Sequence, residues 1–263
     1  MSDKVLLEVG DSGVATIRLN RPEARNAMNP ELLEALLDAV NRVKQDDAIK
    51  VAVLTGEGDA FCVGADLKVT SGFDGNVSVM VRNVMEKYTN PITMGIMNMA
   101  KPWIGAINGV AAGGGCNLAL APELVVASEK ASFIQVFASR GLNLDGGGSY
   151  LLPRLVGPRK AFELAYMPEN IPACKAEELG MINRCLPHEQ YIDFACQWAQ
   201  ELARGPSIAL GQIKLGLHMG MTEPLDRVLE WEKASQSFLF STEDLVEGMV
   251  SFMQKRPPEF KGK

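Results

Sequence analysis

The chain has 263 residues, 47% of them hydrophobic, enough for one large domain or a domain with an appendage built round a substantial core. Its 26 Lys and Arg against 32 Asp and Glu give a formal net charge of -6, with no basic run, which argues against extended nucleic-acid binding. A phosphate-bearing ligand would have to meet local rather than global positive charge.

Residues 5–9 and 14–19, VLLEV and VATIRL, are β-prone runs separated by GDSG and predict an opening hairpin. In NPELLEALLDAVNRVKQD, Asn29 can cap a helix with Pro30 at its first position, and Leu33, Leu36, Val40 and Val43 recur on one face. VAVLTG, residues 51–56, reads as a short buried strand and completes a strand–helix–strand unit. A comparable unit follows in IGAINGV, a glycine-led helix from about Gly114, and ELVVAS, so the repeated pattern predicts an α/β core. Between them SGFDGN reads as a loop and VSVMVRNVMEKYTNPITMGIMNM as a helical pattern with a kink or break at Pro91. Its methionines, Met80, Met85, Met94, Met97 and Met99, suit core filling or an apolar ligand pocket. After about Ser207 the chain reads as helical, with Phe238, Leu245, Met249 and Phe252 at near-helical spacing, which divides it softly into regions 1–200 and 201–263.

Five cysteines, Cys62, Cys116, Cys174, Cys185 and Cys196, show no disulfide-like spacing and predict mostly buried thiols in a reducing compartment. The N-terminal MSDKVLLEVGDSG lacks a basic start followed by a long apolar run, so the cytoplasm is the expected location. The most apolar stretch, 103–127, is interrupted by Asn108, Asn117 and Glu123, and fits a buried interior rather than a membrane span. His188 and His218 stand far apart without a metal-ligand spacing, so no metal is expected.

Three glycine-rich segments stand out: FCVGADL at 61–67, INGVAAGGGCNLAL at 107–120 and GLNLDGGGSYLLPRLVG at 141–157. Dense glycine lets backbone approach a ligand closely, or a helix pack closely on a strand. The second, 107–120, is neither a phosphate loop nor a dinucleotide-binding turn. The second can start a helix whose free N–H groups face an oxygen, with Gly114 at that point.

RLNRPEARNAM at 18–28, the GADL segment, INGVAAGGGC and the closing SFMQKR together resemble the crotonase (enoyl-CoA hydratase/isomerase) family in order along nearly the whole chain. The resemblance implies a spiral of ββα units with a C-terminal helical region, homotrimers often paired into hexamers, and a coenzyme A thioester substrate with no separate cofactor. It implies an oxyanion hole from the backbone N–H groups of Ala65 and Gly114, where one donor is typically worth roughly 3–4 kcal/mol in the transition state. It also places Ala24 and Arg25 of the RPEAR turn, and Asp66, Leu67 and Lys68, along the ligand. Phe252 and Lys255 match positions that reach the ligand from a neighbouring subunit.

The family's hydratases use two glutamates, and the matching positions here are Asn117 and Phe137. Neither is a general acid or base, although Asn117 can hydrogen-bond substrate or water, or be a polar core residue satisfied by its surroundings, and Phe137 makes an apolar wall. Asp145 is the remaining carboxylate and matches members that work without the glutamate pair, most closely the ring-1,2-epoxyphenylacetyl-CoA isomerase type. The expected activity is double-bond isomerisation with Asp145 as proton shuttle, its pKa raised by burial against Phe137 and methionines. The alternative for Asp145 is simple capping of the following helix. The alternative functions are hydration of a cyclic or dienoyl substrate, hydrolysis or dehalogenation, and acyl-CoA binding without catalysis.

Overall fold

A computed structural model describes residues 3–71 and 75–263. Strand β1 (Val5–Val9) pairs antiparallel with β2 (Val14–Leu19), as the hairpin pattern predicts. Ala15, Ile17 and Leu19 of β2 are fully buried, alternate residues of one face. Helix α1 (Pro30–Gln45) starts where Asn29 accepts the Leu32 N–H at 2.9 Å. It buries Leu32, Leu33, Leu36, Val40 and Val43. Each such leucine removed from water stabilises by roughly 1.5–3 kcal/mol, so packing rather than intrinsic propensity holds the helix.

Strands β3 (Val51–Gly56) and β4 (Ala60–Cys62) are followed by the short α2 (Leu67–Ser71). Helix α3 (Val77–Val84) runs through a π turn at Met85–Thr89 into α4 (Asn90–Asn98). The helix is therefore not broken at Pro91. The irregularity lies one turn earlier, where the Asn90 N–H reaches back to the Met85 carbonyl, beside the carbonyl that Pro91, lacking an N–H, cannot serve. Of the predicted SGFDGN loop, residues 72–74 lie outside the described residues.

The chain continues through β5 (Trp103–Ile107), β6 (Val110–Ala112), α5 (Gly114–Ala119), β7 (Leu124–Ser128), β8 (Ser132–Ile134), α6 (Gly148–Val156), α7 (Pro158–Tyr166), β9 (Ile171–Pro172), α8 (Ala173–Glu178), β10 (Arg184–Leu186) and α9 (Tyr191–Arg204). Among the described residues the strands form two sheets, in the orders β1-β2-β3-β5-β7-β10 and β4-β6-β8-β9. Of each successive pair, β3 and β4, β5 and β6, β7 and β8, the first strand joins the larger sheet and the second the smaller. That alternation is the ββα spiral. The central strands are buried on both faces, which explains their unbroken apolar runs. Val51, Val53, Ile104, Ala106 and Val126 pack on Tyr191, Ala195 and Ala199 of α9, while Ala52, Leu54, Trp103 and Ile107 face the core that contains α1.

Helices α10 (Ser207–Gly220), α11 (Leu225–Leu239) and α12 (Glu243–Gln254) complete the chain. The near-helical spacing from Phe238 to Phe252 does not run through one helix. It is interrupted at Phe240–Thr242, and the Thr242 hydroxyl caps α12 by accepting the Leu245 N–H at 3.2 Å. The cysteine expectation is also corrected: Cys174 and Cys185 are joined in a disulfide, while Cys62 and Cys116 are buried thiols and Cys196 is half-buried. Folding back from α8 to β10 brings their Cα atoms to 5.0 Å, a tertiary approach that spacing does not reveal. No described helix is long and apolar enough to cross a membrane.

Candidate active site

Two backbone segments converge at the junction of the sheets. Met28 forms a parallel bridge with Ala65, donating its N–H to the Gly64 carbonyl at 2.8 Å and accepting the Asp66 N–H at 3.0 Å. These bonds occupy one side of the 64–66 segment, so the Ala65 N–H between them points the other way. A Cβ added at Gly64 would stand 3.6 Å from the Gly114 nitrogen, which places the start of α5 alongside. The first N–H groups of a helix have no intrahelical acceptor. Neither the Ala65 nor the Gly114 N–H donates to a backbone carbonyl among the described residues. Gly115 is the packing glycine of this motif, since a Cβ there would lie 2.2 Å from the Cys62 carbonyl oxygen.

Asp145 faces the same point. A Cβ built on Gly114 would come within 3.1 Å of Asp145 Oδ1, so the carboxylate stands beside the donor segment. The residues after Asp145 hold it there: Gly146 and Gly147 have φ of 54° and 89°, and a Cβ at Gly148 would strike the Asn117 amide at 2.4 Å. The Asp145 side chain does not cap α6, whose N-cap is Gly147. Instead Oδ1 is buried with no hydrogen-bond donor among the described residues. Desolvation raises the Asp145 carboxyl from its ordinary 3.8 to about 6.

Ala65, Gly114 and Asp145 open onto a cavity of about 150 Å³ with largely apolar walls, including Met28, Leu33, Met80, Val84, Met85 and Phe137. Phe137 is 5% exposed and its ring edge closes over Gly113. The arrangement suits a substrate with one carbonyl oxygen to be held by backbone donors, an acidic carbon beside it, and an apolar body.

Residues 10–263 match the enoyl-CoA hydratase/isomerase family. The chain belongs to that family. A 1,2-epoxyphenylacetyl-CoA isomerase of Escherichia coli (strain K12) is 37% identical over 253 residues, covering 96% of this chain and 97% of that protein. A probable enoyl-CoA hydratase of Rhodobacter capsulatus is 38% identical over 254 residues, covering 95% of each. Among solved structures, an enoyl-CoA hydratase from Bacillus anthracis superposes with a TM-score of 0.94 at 31% identity, covering 99% of this chain and 100% of that one.

The other family positions are distributed unevenly. Of the two roles open to Asn117, the contact to substrate or water is not the one it takes: it does not line the cavity. It is fully buried, donating to the Asp145 carbonyl at 2.7 Å and accepting from Gln135 at 2.8 Å. Asp66 and Leu67 line the cavity, but the Asp66 carboxylate is paired with Arg21, at 3.1 and 3.2 Å from its two guanidinium nitrogens. Lys68 lies exposed at the start of α2, its N–H donating to Asp66 at 3.2 Å. Ala24 and Arg25 sit in a turn behind the wall, where the Arg25 carbonyl accepts the Val63 N–H at 3.3 Å. Phe252 is 84% exposed near the end of α12, and Lys255 follows that helix with a left-handed backbone; neither lines this cavity. Of the methionines, Met80 and Met85 line the cavity, Met97 and Met99 are buried in the core, and Met94 is exposed.

Arg21 lies in the RPEAR turn but was not singled out, and Gln135 and Arg140 lie outside every quoted motif. Arg140 lines the cavity three residues beyond Phe137. Only its place in the connector after β8 hints at that position.

Proposed function

We propose that this acyl-CoA enzyme is a double-bond isomerase in which Asp145 is the single acid–base group. The observation that carries the reading is a buried carboxylate oxygen without a donor among the described residues, beside Gly114 at the start of α5. The Ala65 and Gly114 N–H groups would hold the thioester oxygen. Asp145 takes a proton from the carbon next to the thioester of a β,γ-unsaturated acyl-CoA, and the electron pair moves into a dienolate whose oxygen charge the two donors stabilise. Asp145 then returns the proton at the γ carbon, so the double bond moves and no water is consumed. With a pKa of about 6 the group is ionised at neutral pH yet basic enough to abstract a proton. Phe137 and the cavity methionines leave an apolar wall where hydration would need a held water.

Asp145→Asn, assayed with a panel of β,γ-unsaturated acyl-CoAs, should lose isomerisation and solvent-deuterium exchange at the α carbon; retained turnover would sink the assignment. Product whose formation incorporates solvent oxygen would instead make the enzyme a hydratase.

For the assembly we infer a homotrimer or hexamer, because Leu225, Leu229, Phe240, Phe252 and Met253 leave an exposed apolar surface on α11, α12 and their connection. Phe252 and Lys255 would then meet the coenzyme A portion from a neighbouring subunit. Light scattering at assay concentration tests this, and a monomer would overturn it.

A further inference from the structure

Among the described residues nothing donates to the buried Oδ1 of Asp145, so the carboxylate is aimed through its backbone. The handle is its carbonyl, which accepts the Gly148 N–H at 2.8 Å and the Asn117 Nδ2–H at 2.7 Å. A carbonyl oxygen only accepts, so Asn117 must turn its NH2 group toward Asp145 and its Oδ1 the other way. That oxygen in turn demands a donor, and Gln135 Nε2 supplies it at 2.8 Å, with a second contact to Cys116 Sγ at 3.5 Å. The polarity of the chain Gln135, Asn117, Asp145 is thus determined link by link.

Gln135 is 3% exposed and follows β8 directly. One residue earlier, the Ile134 carbonyl accepts the Gly113 N–H at 2.9 Å, and the Gly113 carbonyl accepts the Asn117 N–H at 3.1 Å. The residue that fixes Asn117 therefore directly follows the strand that anchors the oxyanion segment. We propose that Gln135 is a positioning residue: through Asn117 it sets where the Asp145 carboxylate stands relative to the Gly114 N–H. It touches no reacting atom. The inference rests on the assignment of Asp145 as the base.

Gln135→Met keeps approximate length and removes the donor. It should lower kcat roughly 10- to 100-fold, the scale of a displacement of about 1 Å in a catalytic group, with KM for the acyl-CoA little changed. Gln135→Glu presents a carboxylate oxygen to Asn117 Oδ1 and should be as impaired at neutral pH. It should recover partly on acidification towards pH 6, where a protonated glutamate again donates; wild type shows no such rise. Circular dichroism at assay temperature confirms folding, and Gln135→Glu carries the test if Gln135→Met does not fold. If Asp145→Asn is inactive while folded Gln135 variants keep wild-type kcat and pH profile, the positioning role is overturned and the base assignment stands. If Asp145→Asn is active, the base assignment itself fails.

Discussion

Glu123 and Asp145 both lose water on folding, and the molecule treats them oppositely. Glu123 accepts the Trp103 N–H at 2.9 Å and pairs with Lys214 of α10 at 2.8 Å. Lys214, 5% exposed, also donates to the carbonyls of Ile96 and Lys101 at 2.7 and 3.0 Å. Burial pushes Glu123 up and Lys214 down, and their mutual attraction opposes both shifts. Asp145 has burial alone. A paired buried charge joins elements, here α10 to the ends of α4 and β5; an unpaired one keeps its affinity for a proton.

The sharpest way to break that contrast is kinetic. Asp145→Asn should lower kcat by roughly 10²- to 10⁴-fold, the usual contribution of a positioned general base, whereas folded Lys214→Met should turn over like wild type. A comparable kcat loss in both would mean that Asp145 is no more chemical than Glu123. Equilibrium urea unfolding should then rank them the other way. Lys214→Met leaves Glu123 buried and unpaired and should cost about 3–5 kcal/mol.

By the same method Asp145→Asn should stabilise the protein at pH 8. The folded pKa of about 6 lies above the ordinary 3.8, so the folded state binds more protons between those values and stability is lost as pH rises through that window. Allowing for partial exposure, removing the charge should recover about 1–3 kcal/mol at pH 8 and nothing below about pH 3.8. A destabilised variant at pH 8 would show an Asp145 partner that the contrast denies. The gentlest test is the pH profile: kcat/KM should fall about tenfold per unit below pH 6 as Asp145 is protonated, and a flat profile down to pH 5 would remove the shifted base.

Much of this frame was legible before folding. Asn29 and Pro30 mark the start of α1, and alternation in VATIRL marks the buried face of β2, because caps and periodicity are local properties. The glycine clusters announced close backbone approach, and the absent glutamates at Asn117 and Phe137 singled out Asp145. For Asn117 the sequence leaves two roles open, a contact to substrate or water and a satisfied polar core residue, and the structure shows the second: its amide holds the Asp145 backbone instead of facing the cavity. Nothing in the local pattern tells an inward amide from an outward one. Arg21 escaped notice for a similar reason, since its partner Asp66 is 45 residues away. The Cys174–Cys185 pairing is absent from their spacing because only the return from α8 to β10 brings them together.

By itself, the amino-acid order determined the opening hairpin, α1, the apolar central strands, the family resemblance and the shortlist of chemical groups, all of which depend on neighbours a few residues apart or on ordered motifs. Only the tertiary structure decided which carboxylate stays unpaired. Hydrogen-bond partnership and desolvation are set by atoms from distant segments: Asp66 and Glu123 find cations there, and Asp145, pinned through Asn117 and the glycines that follow it, is left beside Gly114 in the cavity wall.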